Sequence, residues 1–247
     1  MIELPQLVID TVTSHPYPLI FATISGAHLY GFPSPDSDYD LRGVHILPAP
    51  EVLGLIQGEE TIQRMLDGPP EVDLVTHDAA KFFRLLLKRN GYVLEQVLSP
   101  LVLKSGPDHE ELSALALRCV TRHHAHHYFG FAARQWDFFV KERRLKPLLY
   151  VFRALLTGIH LMRTGIVDAS LVQLNELYPL PYIPELIARK IEGAEKQTTS
   201  DIDVAFFERE CQRLVSVLEE EEARSQLPLQ TDALPALNDL LLRLRLR

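Results

Sequence analysis

The sequence predicts an α+β fold: a small mixed β-sheet in the first hundred residues, followed by an all-helical part. Two observations predict it. Up to about residue 100, short apolar or alternating runs bounded by Gly and Pro are interspersed with a helical pattern. From about residue 107 onward the apolar residues recur at helical spacing. The division expected is 1–106 and 107–247. The 247 residues are 47% hydrophobic and 23% charged, which suffices for one large domain or two small ones.

Residues 18–25 (PLIFATIS) form a short apolar run and read as a buried strand. Residues 39–47 (YDLRGVHIL) alternate, with Tyr39, Leu41 and Val44 toward one face, and read as a second strand. Residues 72–76 (VDLVT) read as a third. A helix follows over about 78–90, capped by Thr76 or Asp78 and closed by Gly91. Phe82, Phe83, Leu85 and Leu86 form its inward face, and Lys81, Arg84 and Lys88 its outer one. A long helix is expected over 108–144 and another over 146–163, where Thr164-Gly165 ends it. PLPYIP (179–184) reads as a rigid loop. Helices over 184–196 and 201–224 follow, with TTSD (198–201) as the capping region. A linker spans 226–232, and 233–247 is a last amphipathic helix. The EEEE run at 219–222 reads as a solvated helix face.

The formal net charge is −8, which alone does not suggest nucleic acid. Residues 118–163 stand apart, with nine basic groups against two acidic ones between acidic segments. Such a segment can attract phosphates, or can be an unevenly charged helix surface. MIELPQLVID has no basic segment before an apolar run, so no signal peptide is expected. The apolar stretch 148–162 contains Arg153 and His160 and is too short and too charged to span a bilayer. Cys119 and Cys211 have no metal-type spacing. A reduced, cytoplasmic location without a membrane partner is expected.

The chemistry concentrates in GAHLYGFPSPDSDYDLRGV (26–44). Asp38 and Asp40 are two apart at the start of a strand, so both project from one face. Two carboxylates side by side repel unless water or a cation separates them. Carboxylate oxygens suit Mg²⁺, which bridges protein carboxylates to substrate phosphates. Gly26 lets backbone N–H groups approach an anion closely. Asp73, inside an otherwise apolar strand, is costly to bury without a partner and is the best third carboxylate. An edge-strand carboxylate facing water is the plain alternative, and Glu71 is the ligand if the register shifts by two.

This pattern resembles the DNA polymerase beta-type nucleotidyltransferase superfamily, and more narrowly its YcgL-like predicted nucleotidyltransferases, the RNA repair pathway polymerase beta family. The resemblance is carried by Gly26, Tyr30, Gly31, Pro35, Ser37, Asp38, Asp40, Arg42, Gly43 and Val44. It continues through Asp73, Lys81, Phe82, Asn90, Glu95, Ser99 and Pro100, and more weakly through Lys146 and Arg153. It covers about the first 165 residues.

The resemblance implies a nucleotidyltransferase domain followed by a helical domain that closes over the nucleotide. Asp38, Asp40 and Asp73 would be catalytic and would hold two Mg²⁺, Asp73 serving the catalytic ion. A hydroxyl would attack the α-phosphate of a nucleoside triphosphate, and pyrophosphate would leave. Gly26, Ala27, Tyr30, Gly31, Arg42, Lys146 and Arg153 would line the nucleotide. Arg42 can equally contact phosphate or hold a carboxylate, and Tyr30 can line the nucleotide or pack the loop. Lys146 and Arg153 are two helical turns apart and share a face. Glu95 and Asn90 read as structural. The acceptor is an RNA end, a protein or a small molecule.

One residue departs from the family pattern. Ala27 stands where a serine or second glycine is usual, so a hydroxyl to phosphate is missing, worth roughly 1 kcal/mol. A catalytically weakened nucleotide-binding regulator or partner-binding module is the alternative function.

RHHAHHY (122–128) holds four histidines, His123, His124, His126 and His127. His123 and His127 are i, i+4 on a helix and can chelate a metal, but no third ligand is placed as in HExxH. Lining an inter-domain cleft, or lying on the surface, are the other readings.

Overall fold

In chain order the elements are α1 (Gln6–Thr13), β1 (Leu19–Ile24), α2 (Gly26–Tyr30), β2 (Tyr39–His45), α3 (Ala49–Leu53), β3 (Thr61–Leu66), β4 (Val72–Asp78), α4 (Ala79–Leu87), α5 (Gly91–Val97) and β5 (Val102–Lys104). Then come α6 (Pro107–Cys119), a 3-10 turn (Arg122–His124), α7 (Ala125–Glu142), α8 (Leu145–Thr164), α9 (Leu171–Leu177), α10 (Ile183–Glu192), α11 (Val204–Arg224) and α12 (Leu234–Arg245). The structure is a computed structural model and describes residues 4–193 and 202–247. The expected capping region 198–201, and the expected end of a helix at 196, lie outside the described residues.

The chain forms two units. The first takes in the residues up to Leu29, Asp38–Val120 and Gln230–Arg247. The second takes in Tyr30–Ser37 and Thr121–Leu229. Residues 107–120 and the tail helix thus count with the sheet, whereas helical spacing alone groups them with the later helices. An ion pair at 2.5 Å from Arg245 to Asp78 and one at 2.8 Å from Arg247 to Asp108 tie α12 to this unit.

In the first unit the strands run β3-β4-β2-β1-β5. β2 and β4 are parallel and the other neighbours antiparallel, so the sheet is mixed, as expected. The order puts β2 and β4 inside the sheet. Val8 and Val12 of α1 pack on Leu19, Ala22, Ile24, Leu41, Val72 and Leu74 to form the core on one face.

β1, β2 and β4 lie where the apolar runs predicted them. β3 and β5 were not legible. TIQRML is an edge strand with two exposed side chains, and VLK is three residues long. α2, between Gly26 and Gly31, is a single short helix. Of the two candidate caps for α4, Asp78 is the one used, and its carboxylate accepts from Ala80 N at 3.0 Å. Gly91 does not close α4. Arg89 takes the left-handed conformation there (φ 61°), and Asn90 caps α5 by accepting from Tyr92 N at 3.0 Å. That is a structural role for Asn90, as expected.

The long helix expected over 108–144 is two helices. Val120 and Thr121 are extended, and Thr121 forms a capping box with His124 at the start of the 3-10 turn. In the second unit, α8 is the central helix and ends at Gly165, which is left-handed (φ 74°), as the sequence indicated. The apolar stretch is longer than the 148–162 read from sequence: among the described residues α8 has the length and composition to cross a membrane, and 89% of the relevant window is buried within the fold.

Candidate active site

The parallel pairing of β2 with β4 sets Asp40 directly beside Asp73. Alternation turns Leu41 and Leu74 into the core and leaves both carboxylates on the other face, 20% and 16% exposed. This decides the register question: Asp73, on an internal strand, is the neighbour of Asp40. Glu71 is exposed, and its carbonyl accepts from Tyr39 N at 2.9 Å. Asp38 is half-buried and immediately precedes β2, two residues from Asp40.

Arg42 lies between the two paired carboxylates. Its Nη2 donates to Asp40 Oδ1 at 2.6 Å and to Asp73 Oδ2 at 2.9 Å. Nη1 donates to the carbonyls of Asp73 and Leu41 at 2.8 and 2.9 Å, and Nε to the Tyr92 hydroxyl at 2.9 Å. Burial works against this charge, but Tyr92, Asp40 and Asp73 outweigh it and hold the pKa above the ordinary arginine value. Of the two readings for Arg42, this geometry is that of a group holding carboxylates in place. Tyr92 was missed from sequence because nothing in its spacing links α5 to β2.

Gly26 is fixed by the same carboxylate. Its φ is +62°, and a Cβ there would lie 1.9 Å from Asp40 Oδ2. Only glycine fits. Ser25 N donates to the Asp40 carbonyl at 2.8 Å, and the Ser25 hydroxyl is buried without a hydrogen-bond partner. Ala27 is 4% exposed. His28 stacks on Tyr39, ring centroids 4.2 Å apart, and so supports the residue between the two aspartates.

The carboxylates fit a divalent cation. Three carboxylates and one guanidinium have a formal charge of −2, which one such ion neutralises. The donor set is all oxygen, as Mg²⁺ requires. Asp73 Oδ1 is buried and has no hydrogen-bond partner, although Oδ2 of the same group is bonded. A lone buried carboxylate oxygen is costly unless something occupies it.

The remaining expected nucleotide residues belong to the second unit. Tyr30 is buried, and Arg153, 2% exposed, lies over it with Cζ 4.1 Å from the ring centroid. Phe131 flanks the same guanidinium at 5.2 Å. Gly31 is left-handed (φ 89°), and a Cβ there would meet Val172 at 3.0 Å. Lys146 is half-buried on α8. The structure therefore joins Tyr30 to Arg153, and separately Gly26, Asp40, Arg42 and Asp73.

The histidine run divides. His124 is buried in its capping box. Burial, with Arg153 nearby, pushes the His127 pKa down to about 4, so this ring is neutral at pH 7. His123 does not pair with His127 but faces His126 and Glu222. Glu221 and Glu222 are only 18% and 19% exposed, so the acidic run is not wholly a solvated face.

A family model described as the RNA repair pathway DNA polymerase beta family matches residues 6–243. The uncharacterized protein MJ0002 of Methanocaldococcus jannaschii is 38% identical over 152 residues, 59% of this chain and 61% of that protein. The chain thus spans about three fifths of the length of that relative. The uncharacterized protein YcgL of Bacillus subtilis is 27% identical over 253 residues, 96% of this chain and 95% of the other. Among solved structures, a nucleotidyltransferase-like protein from Exiguobacterium sibiricum is similar at 12% identity, with a TM-score of 0.33 over 89% of this chain and 73% of that one.

Proposed function

The chain belongs to the RNA repair pathway DNA polymerase beta family, and on that premise we propose that it transfers a nucleoside monophosphate from a nucleoside triphosphate to a hydroxyl acceptor. The observation that carries this reading is the side-by-side placement of Asp40 and Asp73 with one Asp73 oxygen unpartnered. Asp38, Asp40 and Asp73 are the residues that would hold Mg²⁺. When bound, the ion would neutralise charge on the phosphates and on the attacking oxygen. A second ion would come with the charge of the triphosphate, because one divalent cation already balances the protein groups.

In the reaction the acceptor hydroxyl gives its proton to the unpartnered carboxylate oxygen of Asp73 as its own oxygen bonds the α-phosphorus, and the bond from that phosphorus to the bridging oxygen breaks to release pyrophosphate. Asp73 is positioned to orient the attacking hydroxyl with its free oxygen. Arg42 fixes the rotamers of Asp40 and Asp73, so the carboxylates need little rearrangement. Gly26 leaves room for Asp40 and presents main-chain N–H groups to the phosphates. The family description favours an RNA end as acceptor.

Ala27 supports a second reading, a nucleotide-binding regulator with weakened turnover, because it offers phosphate no hydroxyl. Incubation with labelled nucleoside triphosphates, Mg²⁺ and RNAs bearing a free 3′-hydroxyl separates the two. Transfer abolished by Asp38→Ala with Asp40→Ala supports the enzyme. Nucleotide binding with no product for any acceptor supports the regulator, and neither binding nor transfer rejects both.

A further inference from the structure

The second unit brings together a donor set that lies apart from the aspartates. His123 comes from the 3-10 turn, His126 from the first turn of α7 and Glu222 from the last turn of α11. One donor atom from each lies within 4.8 Å of the others. Glu222 Oε1 is 3.2 Å from His126 Nε2 and 3.7 Å from His123 Nδ1. His123 Nδ1 is buried and has no hydrogen-bond partner. A buried ring nitrogen facing a carboxylate oxygen beyond hydrogen-bond reach is unsatisfied as it stands.

Two imidazoles and one carboxylate make up a known three-ligand zinc set that keeps a fourth position open. Metal–ligand bonds of about 2.0–2.1 Å at a tetrahedral centre put donor atoms roughly 3.3 Å apart. The two distances to Glu222 are close to that, so only the two rings need to approach each other. The His126 side chain is 66% exposed, which gives an ion access from solvent. We propose that His123, His126 and Glu222 bind one transition-metal ion of the zinc class. The ion pins the start of α7 to the end of α11, segments distant in sequence. Imidazole donors select zinc, cobalt or nickel over magnesium, so this site and the all-oxygen aspartate set take different metals.

The test uses the full chain, stripped with chelator and titrated with Zn²⁺ or Co²⁺ alone in excess Mg²⁺. One equivalent should bind, the cobalt form should show the visible absorption of a tetrahedral nitrogen–oxygen site, and the melting temperature should rise. Glu222→Gln and His126→Ala should each weaken binding at least about tenfold, while Asp38→Ala with Asp40→Ala leaves it unchanged. His126 is exposed and Glu222→Gln nearly isosteric, so both variants should give wild-type circular dichroism. Absence of stoichiometric binding to the wild type, or wild-type affinity in either variant, overturns the proposal. The wild-type cobalt spectrum tests it without relying on any variant.

Discussion

Asp40 and Asp73 stand opposite one another on neighbouring parallel strands, and a single guanidinium, that of Arg42, bonds both at 2.6 and 2.9 Å. The two carboxylates are the charged pair that the sheet would otherwise force into mutual repulsion. Arg42→Ala removes their common partner and leaves both facing each other, at a cost of about 3 kcal/mol. The local formal charge then falls from −2 to −3, so a divalent cation should bind more tightly. The expected result is a lower melting temperature for the variant without metal and a larger Mg²⁺-induced rise than in the wild type. Thermal melts with and without Mg²⁺ check both. An equal rise in the two proteins would show that the ion does not enter this carboxylate set.

Legibility from sequence followed the reach of each signal. Asp38, Asp40 and Asp73 are legible as candidates because strand alternation and the cost of a carboxylate in VDLV are local arguments. That Asp73 lies beside Asp40 was not readable, because it depends on a parallel register between segments separated by an unforeseen edge strand, Thr61–Leu66. Arg42 has two open roles in the sequence for the same reason: its partners Tyr92 and Asp73 come from other elements. Glu222 reads as solvated with its acidic neighbours because a run of like charges carries no information about which member turns inward.

Gly26→Ala should disable the site while leaving the fold in place. The added methyl would meet Asp40 Oδ2 at 1.9 Å, and φ +62° disfavours any side chain. Relief requires Asp40 to rotate away from Arg42. Stability should fall by about 1–3 kcal/mol, and nucleotide transfer by about two orders of magnitude. Chemical denaturation and a single-turnover transfer assay measure the two losses separately. Full activity in this variant would contradict a working role for Asp40 in its observed rotamer.

Stability should fall on mild acidification because of His45. This ring is fully buried, with Nδ1 at 2.9 Å from the Thr76 hydroxyl and Nε2 at 3.2 Å from the Glu59 carbonyl. Burial lowers its pKa to about 4, although Asp78 pulls in the opposite direction. The unfolded chain, with an ordinary value of about 6.5, binds this proton more readily. Stability from this group is therefore complete above about pH 6.5, declines as the pH drops, and is lost by about pH 4. The part lost by pH 5 is of order 2 kcal/mol. Denaturation midpoints at pH 7.5 and pH 5 should differ more in the wild type than in His45→Asn, which keeps polar groups but takes up no proton.

Lys190 holds the segment that leads into Asp38. It is 5% exposed, and its Nζ donates to the Phe32 carbonyl at 3.2 Å and to the hydroxyls of Ser34 and Ser37 at 2.8 and 3.3 Å. The two serines also bond each other, Ser34 N to Ser37 Oγ at 2.9 Å and Ser37 N to Ser34 O at 2.9 Å. Lys190→Met keeps the aliphatic stem and removes these bonds, leaving the Phe32 carbonyl without this donor. The cost should be about 1–3 kcal/mol. Because the lost bonds converge on residues 32–37, hydrogen exchange at Ser34 and Ser37 should accelerate by at least about tenfold, while amides of β1 stay protected. Ser37 is followed directly by Asp38, and β2 begins at Tyr39, so loosening this segment frees Asp38 before it frees Asp40. Transfer activity should then fall without loss of the Arg42 ion pairs, and uniform acceleration across the protein would instead show that Lys190 serves only global stability.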